Sequence, residues 1–220
     1  MESKLWLLRG RQSHIDFSEA NGWGEPGLTE FRRHIVDLGD GLLFIYDELE
    51  ARNPVSWHFR LHSVVEPLTM EQTEGMVKVT ATNAGGVSDA YIFASKPLDC
   101  DITSKFRIPA VDWLKNGGKE RPDHSHFTAK SVPAKRMAFA TVVDTRVSSS
   151  PSRRPQLLPD GRIAVGKWTI AASLDGSSYG FKVVDSDARE AVDYAEGQPT
   201  IIRDNGTEKS LSDRLPHLEM

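Results

Sequence analysis

Three groups of residues have side chains suited to chemistry. The first is acidic: Asp47, Glu48 and Glu50, within the run IYDELEA. Glycoside hydrolysis needs two opposed carboxylates at a defined separation. Neighbouring strand residues face opposite ways, so Asp47 and Glu48 cannot flank one bond. Glu48 and Glu50 share a face only if the strand persists into the polar corner at Glu50 to Pro54, and no clear second partner is in view. A hydrolase is disfavoured. The second group is imidazole. His58 and His62 share one side of a strand with Arg60 between them, about 13 Å apart and too distant to chelate one ion together. His124 and His126 are better spaced, because positions i and i+2 share a face about 6–7 Å apart. They are the weak candidate metal ligands, for zinc, although no third ligand is identifiable and an exposed strand start explains them equally. The third group is aromatic. Trp23 in ANGWGEPG and Trp113 in DWLKNGG sit in glycine-flanked loops and are the candidate carbohydrate contacts. The competing account is a tryptophan that tucks its loop onto the fold. Trp57 and Trp168 alternate with apolar neighbours and read as core.

Other chemistries find little support. No G-x-S-x-G elbow is present, and Gly117-Gly118-Lys119 lacks the strand and helix that would make it a phosphate loop. Cys100 is the only cysteine, which excludes an internal disulfide and a cysteine-based zinc site. It reads as a small half-buried residue. The 27 basic and 31 acidic residues give a formal charge of −4 with no long single-sign block, so a nucleic-acid partner is disfavoured. No apolar run approaches the roughly 18 residues needed to cross a bilayer, and no membrane partner is expected. The apolar centre of the N-terminus, Leu5 to Leu8, is too short for a signal-peptide core.

The elements that must position these residues are strands. Runs rich in Val, Ile, Thr, Phe and Trp recur between Gly, Pro, Asn and Asp punctuation, and a sustained helical period is absent. The pattern places strands at 4–8, 13–17, 29–38, 42–49, 55–63, 68–72, 76–82, 90–94, 124–130, 137–143, 162–165, 168–174, 179–184 and 200–202. Turns are expected at Gly39-Asp40-Gly41, Asn83-Ala84-Gly85-Gly86, Pro159-Asp160-Gly161 and Asp175-Gly176-Ser177-Ser178. The fold class is all-β, a large and mostly antiparallel two-sheet β-sandwich with little helix. At 220 residues, with 39% hydrophobic and 26% charged, the chain can bury a proper core. A single domain over residues 1–203 is the favoured division. The Ser/Pro/Arg stretch at 147–155 is either a surface loop or a linker marking a sub-boundary. Residues 204–220 have little to bury and are expected to fray. Within strand 55–63, Trp57, Phe59 and Leu61 should face the core and Arg60 should face away.

The run from Gly41 to Ser63, GLLFIYDELEARNPVSWHFRLHS, resembles the C-terminal β-sandwich of the heparinase II/III-like polysaccharide lyases. The likeness extends to SEA at Ser18 to Ala20, LTEFRRHIV at Leu28 to Val36, HFTAKS at His126 to Ser131 and the strand to Asp144. It is good over residues 10–63, fair over 124–144 and faint elsewhere. The resemblance implies a parent enzyme with an N-terminal α/α toroid that cleaves acidic, uronate-containing polysaccharides by β-elimination. A base takes the C5 proton, an acid protonates the leaving oxygen, and the carboxylate is neutralised as the enolate develops. In the family the toroid supplies a tyrosine, and a histidine comes from the early sandwich. The family's H-N-T/S segment and toroid have no counterpart in this chain, so no catalytic residue carries over. No cofactor is expected; the zinc of some relatives would be held by residues outside this chain. The expected partners are the missing toroid and, through the parent enzyme, an acidic polysaccharide; the expected location is bacterial, periplasmic or secreted. The chain would be a truncated piece, a fragmentary gene product or a detached module. Two functions follow: a structural or substrate-contacting lyase module inactive alone, or a free-standing carbohydrate-binding or protein-interaction β-sandwich.

Overall fold

The computed structural model describes residues 6–12, 28–63, 67–105, 111–112, 119–120 and 125–212. They form strands, numbered here in chain order, and contain no helix. A seven-stranded middle sheet runs in the order β1 (Trp6–Gln12), β2 (Leu28–Gly39), β3 (Leu42–Val55), β12 (Ala134–Val147), β7 (Gly86–Phe93), β6 (Met76–Asn83) and β5 (Thr69–Thr73). A small sheet of β4 (His58–Ser63), β11 (Ser125–Lys130) and β8 (Asp99–Thr103) covers one face. A seven-stranded meander covers the other, from β13 (Gln156–Leu157) through β14 (Ile163–Val165), β15 (Trp168–Ala172), β16 (Gly180–Asp185), β17 (Ala191–Ala195) and β18 (Thr200–Asp204) to β19 (Thr207–Leu211). A two-stranded ribbon pairs β9 (Val111–Asp112) with β10 (Lys119–Glu120).

The sandwich is all-β and antiparallel, as expected, but its middle sheet is shared between two cores. Alternation along β3 and β12 sends Phe44, Tyr46, Ala138, Ala140 and Val142 towards the meander, where they meet Ile170, Phe181, Val183 and Val192. The intervening residues Leu49, Met137 and Phe139 point the other way, onto Trp57, Phe59, Phe127 and Ala129 of the small-sheet layer. A sheet buried on both faces needs near-continuous apolar strands, and MAFATVV of β12 and LLFIY of β3 supply them.

The turn at Gly39-Asp40-Gly41 joins β2 to β3, with φ values of 85°, 53° and 76°. A side chain at Gly41 would place its Cβ 2.4 Å from the Thr145 carbonyl oxygen, so glycine is required sterically as well as conformationally. The expected corner at Glu50 to Pro54 is not a break between strands. β3 continues to Val55, and the residues from Glu50 to Val55 face only Arg136 to Ala134 of β12, a bulge that bends the strand. Beyond Asp204 the chain does not simply fray. A turn at Asn205 and Gly206, both with positive φ, returns it as β19, an exposed outer strand paired to β18. Residues 148–155 lie against the middle sheet: Ser152 meets the Tyr91 hydroxyl at 2.9 Å, and Arg153 Nε donates to Asp144 at 2.8 Å.

In β4 the expected register holds. Trp57 and Phe59 are buried, Leu61 is half-buried, and Arg60 is exposed. Phe59 packs on Phe139 with ring centroids 5.6 Å apart. Phe59→Ala should therefore cost about 3–5 kcal/mol in urea denaturation, while Arg60→Ala stays within about 0.5 kcal/mol. A loss below about 1 kcal/mol at Phe59 would contradict this packing.

Candidate functional site

The IYDELEA segment occupies the middle of β3; Tyr46, Asp47 and Glu48 are taken up inside the protein, while Glu50 stays partly exposed. Tyr46 donates its hydroxyl to the Ser173 carbonyl at 2.6 Å and accepts from the Gly180 amide at 3.2 Å. Burial pushes its phenol well above the ordinary range. Asp47 points to the small-sheet side and receives Arg33 as a two-pronged fork, Nε to Oδ1 at 2.6 Å and Nη2 to Oδ2 at 2.8 Å. Burial raises the Asp47 carboxyl and Arg33 pulls it back; the fork is the geometry of an ionised pair. Glu48 points to the meander side and meets His34 Nε2 at 2.6 Å, with the two side chains 2% and 0% exposed. The His34 ring lies 4.3 Å from Tyr194 and 5.4 Å from Phe181, and Arg32 donates to the Tyr194 hydroxyl at 2.8 Å. Asp47 and Glu48 thus face opposite layers and cannot flank one bond.

The clamp at the end of this row is Arg136. Its guanidinium stacks 4.2 Å over the Tyr179 ring, and its Nη2 donates to both Glu196 carboxylate oxygens at 2.8 and 2.7 Å. Tyr179 in turn donates to the Leu49 carbonyl, which ties the meander to the middle sheet.

Of the candidate ligand pair His124 and His126, the second lies among the described residues. His124, Trp23 and Trp113 lie outside the described residues. His126 stands directly opposite His62 across the β11–β4 pair, with ring centroids 5.7 Å apart. Among the described residues no three His, Cys, Asp or Glu side chains gather to hold a metal ion. Cys100 is half-buried, and burial raises its thiol, helped by Asp99.

The outward face of the small sheet is where chemistry remains available. β4 presents His58, Arg60 and His62, and across from them β11 presents Lys130, Thr128 and His126. Asp99 and Asp101 of β8 lie beyond, opposite Lys130 and Thr128. The result is a cationic band along β4, an outer strand of its sheet. The imidazole of His58 is held below its ordinary value by partial burial first, then by Arg60 and Lys130. Between β4 and the middle sheet runs a groove of about 250 Å³. Phe31, Leu49, Trp57, Phe59 and Phe139 line it, with Arg33 and its partner Asp47, His58 and Arg60 also along its walls. A larger hollow of about 460 Å³ lies beside the β5–β6 hairpin, but its only charged lining residues, Glu74 and Lys96, have opposite signs. The smaller groove is the better site, because three basic side chains face a single carboxylate, Asp47, over an aromatic floor.

Arg33 and Phe31 had no role in the sequence reading. The signal was present: a hairpin folded about Asp40 sets Arg33 opposite Asp47, and the structure has that register. The sequence matches no protein-family model, and no curated protein matches it significantly.

Glu48→Ala should cost about 1–3 kcal/mol, because it strips the carboxylate from a sealed imidazole, while Glu50→Ala, with a side chain 41% exposed, changes stability by less than about 0.5 kcal/mol. Equal small losses in urea titrations would show that Glu48 is not sealed. Partial burial, and after it the neighbouring Arg60 and Lys130, disfavours protonated His58, so its proton is bound more weakly in the folded chain than in the unfolded one. Stability is therefore lost as pH falls from the ordinary imidazole range through the folded value. Lys130→Ala should move the His58 titration upward in proton NMR; an unchanged or lower value would contradict the charge assignment.

Proposed function

We propose that this chain is the C-terminal β-sandwich module of a heparinase II/III-like polysaccharide lyase, serving as scaffold and contact surface rather than as the seat of elimination. The observation that carries the scaffold half of the reading is the state of the tyrosines. The chain has four, Tyr46, Tyr91, Tyr179 and Tyr194, and all are at most 3% exposed. Each phenol is hydrogen-bonded internally, to Ser173, Ser152, Leu49 and Arg32 respectively. The family's elimination uses a tyrosine acid, and none of these four can approach a leaving oxygen. The segment that carries the resemblance is likewise absorbed by packing, which is what a scaffold motif does.

The contact half rests on the cationic band of β4 and β11, whose sign suits an acidic polysaccharide. In the parent enzyme the toroid would supply the acid and the cleft wall, and the location would be the periplasm or exterior of a bacterium. The same band also favours a second reading, a free-standing carbohydrate-binding module. The two readings share the ligand and differ only in whether a catalytic partner domain is engaged.

The isolated chain should produce no unsaturated uronate, followed by ultraviolet absorbance, from heparin, heparan sulfate, alginate or chondroitin. Its migration should nevertheless be slowed in gels containing those polymers and unaffected by a neutral glucan. Turnover abolished by His126→Ala would overturn the scaffold reading. Unchanged migration in every acidic gel would overturn the polysaccharide reading itself.

A further inference from the structure

The groove beside β4 combines two features that a purely structural crevice does not need. Its floor is aromatic, and its basic groups Arg33, His58 and Arg60 outnumber its one carboxylate, Asp47, which Arg33 engages. Arg33 is the fixed member. Asp47 engages its Nε and Nη2, which locks the guanidinium plane while Nη1 stays uncommitted, and the side chain is 43% exposed. A guanidinium has five N–H donors, so such a fork leaves donors in hand. Phe31 lies beneath it, with its ring centroid 5.7 Å from the guanidinium carbon. Arg60 is the free member. It is exposed, lines the same groove, and makes no ion pair with a described carboxylate. Within its own sheet the acids Asp101 and Asp99 stand on β8, a full strand beyond β11, and the groove's Asp47 is already engaged by Arg33. The spare Arg33 donor and an Arg60 without an ion-pair partner among the described residues, set around an aromatic floor, suit a ligand with one apolar ring face and one oxyanion.

We propose that this groove holds a single acidic pyranose unit, with its oxyanion between the Arg33 and Arg60 guanidinium groups and its ring face on Phe31 and Trp57. A volume of about 250 Å³ accommodates one sugar ring and not a run of them, so longer chains would lie outward along the band of His62, His126 and Lys130. Trp57 is oriented for this by its own bond: Nε1 donates to the Ala134 carbonyl at 3.0 Å, which fixes the indole plane. Recognition comes from charge-assisted hydrogen bonds at one end and ring contact at the other, so neither a neutral sugar nor a bare anion satisfies the site. The inference deepens the polysaccharide reading and rests on it for the source of the ligand. The oxyanion itself is either a uronate carboxylate or a sulfate ester.

The test is calorimetric titration of the full chain with alginate oligosaccharides, heparin oligosaccharides, neutral cello-oligosaccharides and inorganic sulfate. Arg60→Ala, Arg60→Lys and the remote Lys209→Ala are compared with the parent protein. Arg33 is left intact, because removing it would strand the buried Asp47 carboxylate and threaten the fold. The expected result is binding of the acidic oligosaccharides only, weakened at least about tenfold by Arg60→Ala, partly kept by Arg60→Lys and unchanged by Lys209→Ala. Tighter binding of alginate identifies the carboxylate as the recognised group, and tighter binding of heparin identifies the sulfate ester. Binding of acidic oligosaccharides that ignores Arg60 overturns the groove assignment and leaves the polysaccharide reading standing. Absence of oligosaccharide binding with polymer gels still retarded also overturns the groove alone; absence of both overturns the two together.

Discussion

The middle sheet is buried on both faces, and most of the structure follows from that constraint. A sheet with one wet side can carry polar residues there without cost. This one cannot, so the charged side chains near its centre find partners inside the protein, while the small hydroxyl of Thr141 is buried without one among the described residues. Arg33 and Asp47 satisfy each other on the small-sheet side, and His34 and Glu48 do so on the meander side. At the far end Asp89 and Asp144, both fully buried, share Arg146 at 2.8 and 2.9 Å, and Asp144 also takes Arg153. Breaking any of these pairs leaves a buried charge uncompensated, which makes the polar set a specification of how the layers stack.

Aromatic side chains with polar tips fasten the layers in the same way. Trp57 of the small-sheet layer donates to Ala134 of the middle sheet, and Trp168 of the meander donates to Leu38 at 3.1 Å. Tyr46 reaches from the middle sheet to Ser173, and Tyr179 reaches back from the meander to Leu49. Each buries a large ring and ends on a backbone carbonyl of the facing layer, so apolar burial and registration come from one side chain. The functional consequence is a division of labour. Tyr46, Asp47 and Glu48 are consumed by assembly, and exposed polar groups remain on the outward face of the small sheet and at the groove along its edge.

Local pattern made much of this legible. The strand at 42–49 and the aromatic strand after it were readable because side chains alternate, and the glycine turns at 39–41, 83–86 and 175–178 because few other residues accept their backbone angles. The strands that pattern missed are instructive. β8, DCDIT, and β19, TEKSL, carry polar residues at most positions because each is an outer strand of its sheet, paired on one side among the described residues. β17, AVDYA, is short and interrupted by Asp193, yet Val192 and Tyr194 are core. The corner at 50–54 read as a break because its residues are polar and end in proline; the bulge against β12 lets the strand pass through it.

The sequence by itself determined that the chain is all-β, that Trp57, Phe59 and Leu61 share an inward-facing side of their strand, and that Asp47 and Glu48 face opposite ways. These are consequences of a two-residue period and need no partner strand. The sequence also contained the pairing of Arg33 with Asp47, since counting outward from Asp40 in a tight hairpin reaches it. Only the tertiary structure decided which layer each face meets, and so that one sheet would be covered twice. It also set His126 opposite His62 and brought Arg33 and Arg60 to one groove from different sheets. Those outcomes depend on contacts between residues far apart in the chain, and alternation within a strand carries no record of which distant strand will pack against it.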